Sequence, residues 1–313
     1  YASLVEQDPR AAGRFASFTV GLIGLATAAI ALVGEGGLWI ALLMAEPGST
    51  KHFSISLVMV ALPFMPLICI AATLAGMLQT HGRFGPPAAQ PIVLNVLVLA
   101  AVGLHAFVVK SSLESAAMLL CGAVVLSGAF QVAWSLWALR AYAHWTRVFS
   151  GVGRSARTLL RRWAGATIGL GTLQASALLD VLIAMWPIWF GATIVGLTYP
   201  LDEQSNAILF YAQRLYQFPL GVFGIAVATV AFPLLSRLAT DDGRFRGALV
   251  DALSLSLAIA LPASVGLVLV SHDLTAVLFG GWGAFSESGT DRAAAALIGY
   301  AACVWAYGCN QVL

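Results

Sequence analysis

The sequence predicts an all-α, polytopic helical membrane protein with about eight transmembrane helices. Three observations carry that expectation. Of the 313 residues, 60% are hydrophobic and only 10% are charged, where a soluble domain carries about 25%. The mean hydropathy is +0.88. The apolar residues also gather in runs of about 20, the length that crosses a bilayer as a helix. Fourteen acids, 16 Lys+Arg and 5 His cannot cover a water-soluble surface of this size. A soluble enzyme, a nucleic-acid binder and a disordered chain are therefore excluded.

The spans fall at 15–34 (with a run-on toward 44), 55–79, 91–109, 116–139, 165–190, 206–235, 248–270 and 293–313. The first follows Arg10 and Arg14. The second ends at His81-Gly82-Arg83, a turn and charge signal. Lys110 closes the third and Arg140 the fourth. The fifth continues into Gly191–Pro200, which either extends the helix or turns at the surface. Asp202-Glu203 precedes the sixth, Asp241-Asp242-Gly243-Arg244 the seventh, and Arg292 the eighth. Prolines lie inside spans at Pro63, Pro66, Pro187, Pro219, Pro233 and Pro262, and small residues recur at Gly165, Gly169, Gly221 and Gly224. Ordinary membrane packing and bendable transporter helices both use such residues.

The basic residues sort by side. Arg10, Arg14, Arg83, Arg140, Arg147, Arg154, Arg157, Arg161, Arg162, Arg237, Arg244 and Arg246 fall in one set of alternating loops. Only Lys51, Lys110 and Arg292 fall in the other. By the positive-inside rule the first set is cytoplasmic, and with it Tyr1. The segment from Arg140 to Arg162 holds six Arg and no acid. It reads as a surface-lying amphipathic segment that meets anionic lipid, as a topology determinant, or as both. The chain begins at Tyr1 and stops at Gln311-Val312-Leu313 within an apolar run, which reads as an internal piece of a longer chain.

Little in the sequence suggests catalysis. GxxxxGK, HExxH and GxSxG are absent, and no Ser/His/Asp grouping sits at membrane depth. Cys69, Cys121, Cys303 and Cys309 lie in apolar runs with no CxxC, so they are expected as buried apolar side chains with neither disulfide nor zinc. No enzyme activity, cofactor, metal site or nucleic-acid partner is expected.

Two ionisable residues do sit within spans. Charge there is expensive and usually faces a cavity or a partner. Around Arg214, the residues Tyr211, Gln217 (or Phe218), Gly221 and Gly224 recur every three or four positions, giving one polar-to-small stripe. A guanidinium facing a wet cavity suits phosphate, which it grips with two parallel hydrogen bonds. It serves equally to cap a neighbouring helix. Thr172, Ser176 and Asp180 are spaced i, i+4, i+8 and put three oxygen-bearing side chains on one face. Such a face suits a hard cation or a proton, or a plain interhelical hydrogen bond. Gln174 lies on another side of that helix. Asn95 stands near the start of the third span, where an interhelical hydrogen bond is the common role.

At this point a family resemblance becomes specific. The stretch Tyr211-Ala-Gln-Arg-Leu-Tyr-Gln-Phe-Pro-Leu-Gly-Val-Phe-Gly-Ile-Ala-Val-Ala-Thr-Val-Ala-Phe-Pro-Leu-Leu-Ser236 resembles the signature helix of the MurJ (MviN) lipid II flippases. Leu78-Gln-Thr-His-Gly-Arg-Phe-Gly-Pro-Pro-Ala-Ala-Gln-Pro-Ile-Val-Leu-Asn95 is similar to a family junction, and Gln174-Ala-Ser-Ala-Leu-Leu-Asp180 is a weaker third match. The family belongs to the MOP exporter superfamily, beside the MATE exporters and polysaccharide flippases.

The resemblance implies that the eight spans match the third to tenth of fourteen helices. On that basis 1–139 is part of an N-lobe, 140–164 an Arg-rich inter-lobe linker, and 165–313 part of a C-lobe. It implies lipid II as substrate, membrane lipids and the cell-wall synthesis machinery as partners, and the bacterial inner membrane as location. Arg214, Gln217 and Asn95 become the expected substrate-binding residues. Asp180, Ser176 and Thr172 become an expected cation or proton site, with coupling to sodium, protons or the membrane potential. Gln217 stands where some members have Glu, and Gln213 where some have Asp. A polysaccharide-lipid flippase, a MATE-like exporter or a non-transporting paralogue are the alternatives. A single acid against a single Arg in the spans favours an anionic substrate over a cationic drug.

Overall fold

A computed structural model describes residues 1–146, 148, 153, 157, 161, 175, 177–191, 193–194, 196–224, 227, 230–231, 234–235, 238, 241–280 and 286–312. Contacts divide the chain into two compact units, Tyr1–Ser176 and Ala177–Leu313.

In the first unit a short α1 (Ala2–Gln7) leads into α2 (Pro9–Leu43). Asp8 starts α2 by accepting from the amides of Arg10 (2.9 Å) and Ala11 (3.1 Å), with Pro9 at the first helical position. The helix runs through Glu35 to Leu43, taking the run-on toward 44 that the sequence left open. Ser49 caps α3 (Thr50–Ala61), accepting from the His52 amide. Leu62-Pro63 then breaks the second span into α3 and α4 (Phe64–Thr80). Proline removes a backbone donor, and the chain re-enters the helix one residue later. Pro86 opens α5 (Gly85–Leu104), which ends in a π-turn, His105–Val109, closed by Lys110 in a left-handed conformation. Ser112 caps α6 (Leu113–Leu139).

Helix α6 is the hub of this unit: α3, α4 and α5 all pack on it, and α2 packs on α4. The close α4–α6 contact depends on Gly128. A Cβ there would sit 2.9 Å from the Phe64 ring and 3.0 Å from Leu67. Gln131 is 2% exposed and donates to the Gln90 carbonyl (3.4 Å), tying α6 to α5. The buried core gathers at one end of the bundle, from Ala16, Leu74, Met77, Leu78, Leu139 and Ala143. At that end Gly13 lets the His144 carbonyl come into contact, a place any Cβ would fill.

In the second unit α7 covers Ala177–Trp189. The apolar stretch after it is not a continuation of helix. It folds into a two-stranded antiparallel hairpin, β1 (Thr193–Ile194) on β2 (Leu197–Thr198), with Gly196 at positive φ. Helix α8 (Ser205–Pro219) continues as a π-turn, Leu220–Gly224, beyond the proline that ends regular pairing. Asp241 caps α9 (Asp242–Leu269), which carries Pro262 without interruption. Then come α10 (Ser271–Thr275), a π-turn at Ala276–Gly280, α11 (Glu287–Ala301) and α12 (Val304–Asn310). The last expected span, 293–313, thus begins earlier and is bent by 42° between α11 and α12. Within this unit α8 packs on α11, and α9 packs on both α11 and α12.

Five described helical segments have the length and apolarity of a membrane span, and the bent α11–α12 pair makes a sixth. The protein is a polytopic helical membrane protein. Its exposed faces carry large apolar side chains such as Leu25, Leu99 and Phe107, as a surface bathed in lipid requires. The four cysteines are free. None is fully buried, contrary to expectation: Cys303 is exposed at the bend and the other three are half-buried. In lipid an exposed apolar thiol carries no penalty.

Candidate functional site

The two charges inside spans end up in different environments. Helix α8 presents three faces. Ile208 (3% exposed) and Ala212 (0%) are buried. Gln213, one residue on, reaches Asp180 of α7 and Tyr300 of α11. Its amide nitrogen donates to the Tyr300 hydroxyl at 3.0 Å and to Asp180 Oδ2 at 3.5 Å. The Tyr300 hydroxyl in turn donates to the same carboxylate oxygen at 3.2 Å. Tyr216, one turn along α8, stacks on Tyr300 with centroids 5.0 Å apart and on Tyr307 at 5.8 Å. A half-buried carboxylate is thus held by neutral donors against an aromatic stack. Among the described residues its partners are hydrogen-bond donors and not a cation.

Arg214 points elsewhere. It is exposed, its Nη1 donates to Gln217 Oε1 at 3.2 Å, and its guanidinium lies 4.6 Å from the Phe210 ring centre. The expected stripe therefore exists in part: Arg214 and Gln217 share the exposed face with Tyr211 and Phe218. Among the described residues no carboxylate pairs with Arg214, and Asp180 has no cationic partner. An exposed, unneutralised guanidinium at this depth can grip an anion, with the Gln217 amide beside it.

Asn95 is exposed on α5 in the first unit. Thr172, Ser176 and Gln174 lie outside the described residues, as do Arg147, Arg154, Arg162, Pro233 and Arg237. Tyr300 and Tyr307 complete the Asp180 cluster from α11 and α12. Both stand at turn spacing on an apolar run, where a tyrosine reads as packing.

Outside the span of α8, Asp202 and Arg292 make a bidentate pair. Arg292 Nη1 donates to Asp202 Oδ2 and its Nη2 to Oδ1, both at 2.8 Å. The Ser205 hydroxyl bridges the two, accepting from Arg292 (2.9 Å) and donating to Asp202 (2.9 Å). The Arg292 guanidinium, helped by Ser205 and the Gln204 amide, holds the Asp202 carboxyl down at about 2. Further along, His272 approaches Asp291 at 3.1 Å and Asp273 at 3.6 Å. Among the described residues no group of three His, Cys, Asp or Glu side chains is arranged to hold a metal.

Comparison with known proteins matches this framework. The profile of the family described as Lipid II flippase MurJ matches residues 1–313. A probable lipid II flippase MurJ of Vibrio cholerae is 28% identical over 95% of this chain and 55% of its own length. The Lipid II flippase MurJ of Burkholderia cenocepacia is 25% identical over 89% of this chain and 53% of its own. One from Thermotoga maritima, also named as probable, is 35% identical over 49% of this chain and 28% of its own. The chain thus spans about half the length of most of the curated relatives it matches. A solved structure titled Lipid II flippase MurJ, inward closed conformation, superimposes with a TM-score of 0.68 at 20% identity, covering 98% of this chain and 64% of that one. At that identity the likeness is one of fold.

Proposed function

The chain belongs to the MurJ lipid II flippase family, and from that premise we propose that it forms the middle of a transporter for undecaprenyl-diphosphate-linked peptidoglycan precursor. The whole protein moves that lipid from the inner to the outer leaflet of the bacterial inner membrane by alternating access. The eight sequence spans stand for the third to tenth of fourteen helices of a MOP-superfamily fold. Residues 1–139 and 165–313 supply parts of two lobes, with 140–164 joining them on the cytoplasmic side. Tyr1 lies on that side, by the distribution of arginines.

The observation that carries the reading is Arg214. It is a permanent cation within an apolar helix, exposed, with a neutral Gln217 as its hydrogen-bonding neighbour. A diphosphate offers the charge and the oxygen geometry such a guanidinium accepts, and Gln217 adds an amide donor. Asp180 is the candidate coupling group for a cation or proton, with Ser176 and Thr172 as further oxygen ligands. In that role an arriving cation replaces the Tyr300 and Gln213 hydrogen bonds at the carboxylate.

The test is complementation of a MurJ-depleted strain by the full-length parent gene, with lipid II exposure at the outer leaflet as readout. Rescue with restored exposure supports the assignment. Failure at normal membrane expression overturns it in favour of another substrate or a non-transporting role.

A further inference from the structure

The end of the first unit where its core is buried carries a cleft that the transport reading does not use. It is open, has a volume of about 290 Å³, and is lined by Arg83, Pro86, Trp134, Trp137, Arg140 and Tyr142 together with two alanines. Ligand sites begin at about 300 Å³. Arg83 comes from the corner between α4 and α5, and Arg140 from the end of α6. Arg83 is held in place: its Nε donates to the Tyr142 hydroxyl at 2.9 Å and one Nη donates to the same oxygen. Tyr142 is itself fixed by stacking on His81 at 5.0 Å, and His81 is bonded to the Tyr1 hydroxyl at 3.0 Å. The second Nη of Arg83 keeps its donors. Arg140 lies 4.6 Å from the Trp137 ring centre.

No acid lines the cleft. The sequence has no acid from 47 to 113 or from 115 to 179. Among the described residues neither arginine enters an ion pair. Two guanidiniums that share one cleft repel each other until an anion sits between them. The surroundings are apolar and exposed: Phe84 is 63% exposed and Trp137 58%. Trp, Tyr and Arg side by side at the end of spanning helices mark the level of lipid headgroups. The cleft therefore opens toward the bilayer interface, and its occupant must carry both a phosphate and an apolar body.

We propose that this cleft is a headgroup site for one anionic glycerophospholipid. Its phosphodiester is gripped between Arg83 and Arg140, and its glycerol backbone lies against Trp134 and Trp137. The site is independent of Arg214 and of the transported substrate.

The test is native mass spectrometry of the protein in detergent, titrated with phosphatidylglycerol and, separately, with zwitterionic phosphatidylcholine. One phosphatidylglycerol is expected to bind in preference to phosphatidylcholine. Arg140→Ala leaves the Tyr142 bonds in place and weakens that binding about fivefold; adding Arg83→Ala brings the loss to about 25-fold. The pair Arg83→Lys and Arg140→Lys keeps the charge and retains most of the binding. Lys51→Ala with Lys110→Ala removes equal charge elsewhere and leaves binding intact. Unchanged binding in the Arg140→Ala variant overturns the proposal, as does equal weakening by the two lysine changes. Displacement of the lipid by equimolar sn-glycerol 3-phosphate also overturns it, because the site would then take a free phosphate.

Discussion

The Tyr300 hydroxyl donates to Asp180 at 3.2 Å across 120 residues of chain, while Arg214, next in sequence to the other donor Gln213, turns to Gln217. Asp180 and Arg214 are not each other's counter-ion. Each is left to a different task, and each makes its own prediction.

Removing one neutral donor from Asp180 should be costly. Tyr300→Phe leaves the half-buried carboxylate, among the described residues, with only the 3.5 Å Gln213 contact. The expected loss is about 1–3 kcal/mol of stability, read as a fall in melting temperature in detergent. Asp180→Asn together with Tyr300→Phe should lose less than the sum of the two, because both remove the same bond. Additive losses would show that the bond contributes nothing.

If Asp180 binds a cation, that ion stabilises the folded protein in proportion to its occupancy. Raising sodium at constant ionic strength should then raise the melting temperature of the wild type and leave that of Asp180→Asn unmoved. Equal responses in both would remove Asp180 from the ion site.

Arg214→Ala in the full-length protein should abolish lipid II exposure at the outer leaflet while expression is kept. Arg214→Lys should restore only part of it, since an ammonium cannot grip two phosphate oxygens as a planar fork does. Full complementation by Arg214→Ala would sink the substrate-binding role.

The Asp202–Arg292 pair gives a pH signature. The Asp202 carboxyl is held at about 2 in the folded chain, below its ordinary value. Its stabilising contribution is complete above about pH 4, falls as the pH drops, and is gone below about 2. The pair is largely exposed, so Arg292→Ala should cost no more than about 1 kcal/mol at pH 7. The melting-temperature gap between wild type and Arg292→Ala should close on acidification from pH 5 toward pH 2. A gap that stays constant would assign the loss to packing instead.

Gly128 tests the α4–α6 contact. Gly128→Ala forces a Cβ to within 2.9 Å of the Phe64 ring and should cost about 1–3 kcal/mol by overpacking. Gly122→Ala on the same helix meets nothing within 4 Å and should be neutral or stabilising. Thermal denaturation of the two variants decides it.

Composition and run length alone determined the class and the rough position of the five or six spans found among the described residues, and they sort most arginines into one set of alternating loops. These are one-dimensional properties: a bilayer demands about 20 apolar residues whatever lies next to them. Helical spacing also brought Arg214 and Gln217 to one face, because three residues make nearly one turn. Other features were decided only by tertiary structure. The break at Leu62-Pro63 and the uninterrupted passage of Pro262 look alike in sequence, since whether a proline breaks a helix depends on the neighbours that re-satisfy the backbone. Gly191–Pro200 was open between helix and turn until pairing across Thr193 and Thr198 closed the hairpin. Tyr300 was silent, because periodicity assigns a face but not the partner that face meets. Asp180 finds its donor on a helix more than a hundred residues away, and Arg83 meets Tyr142 only because the α4–α5 corner packs beside the end of α6. Contacts between helices distant in sequence arise from packing, which no local pattern records.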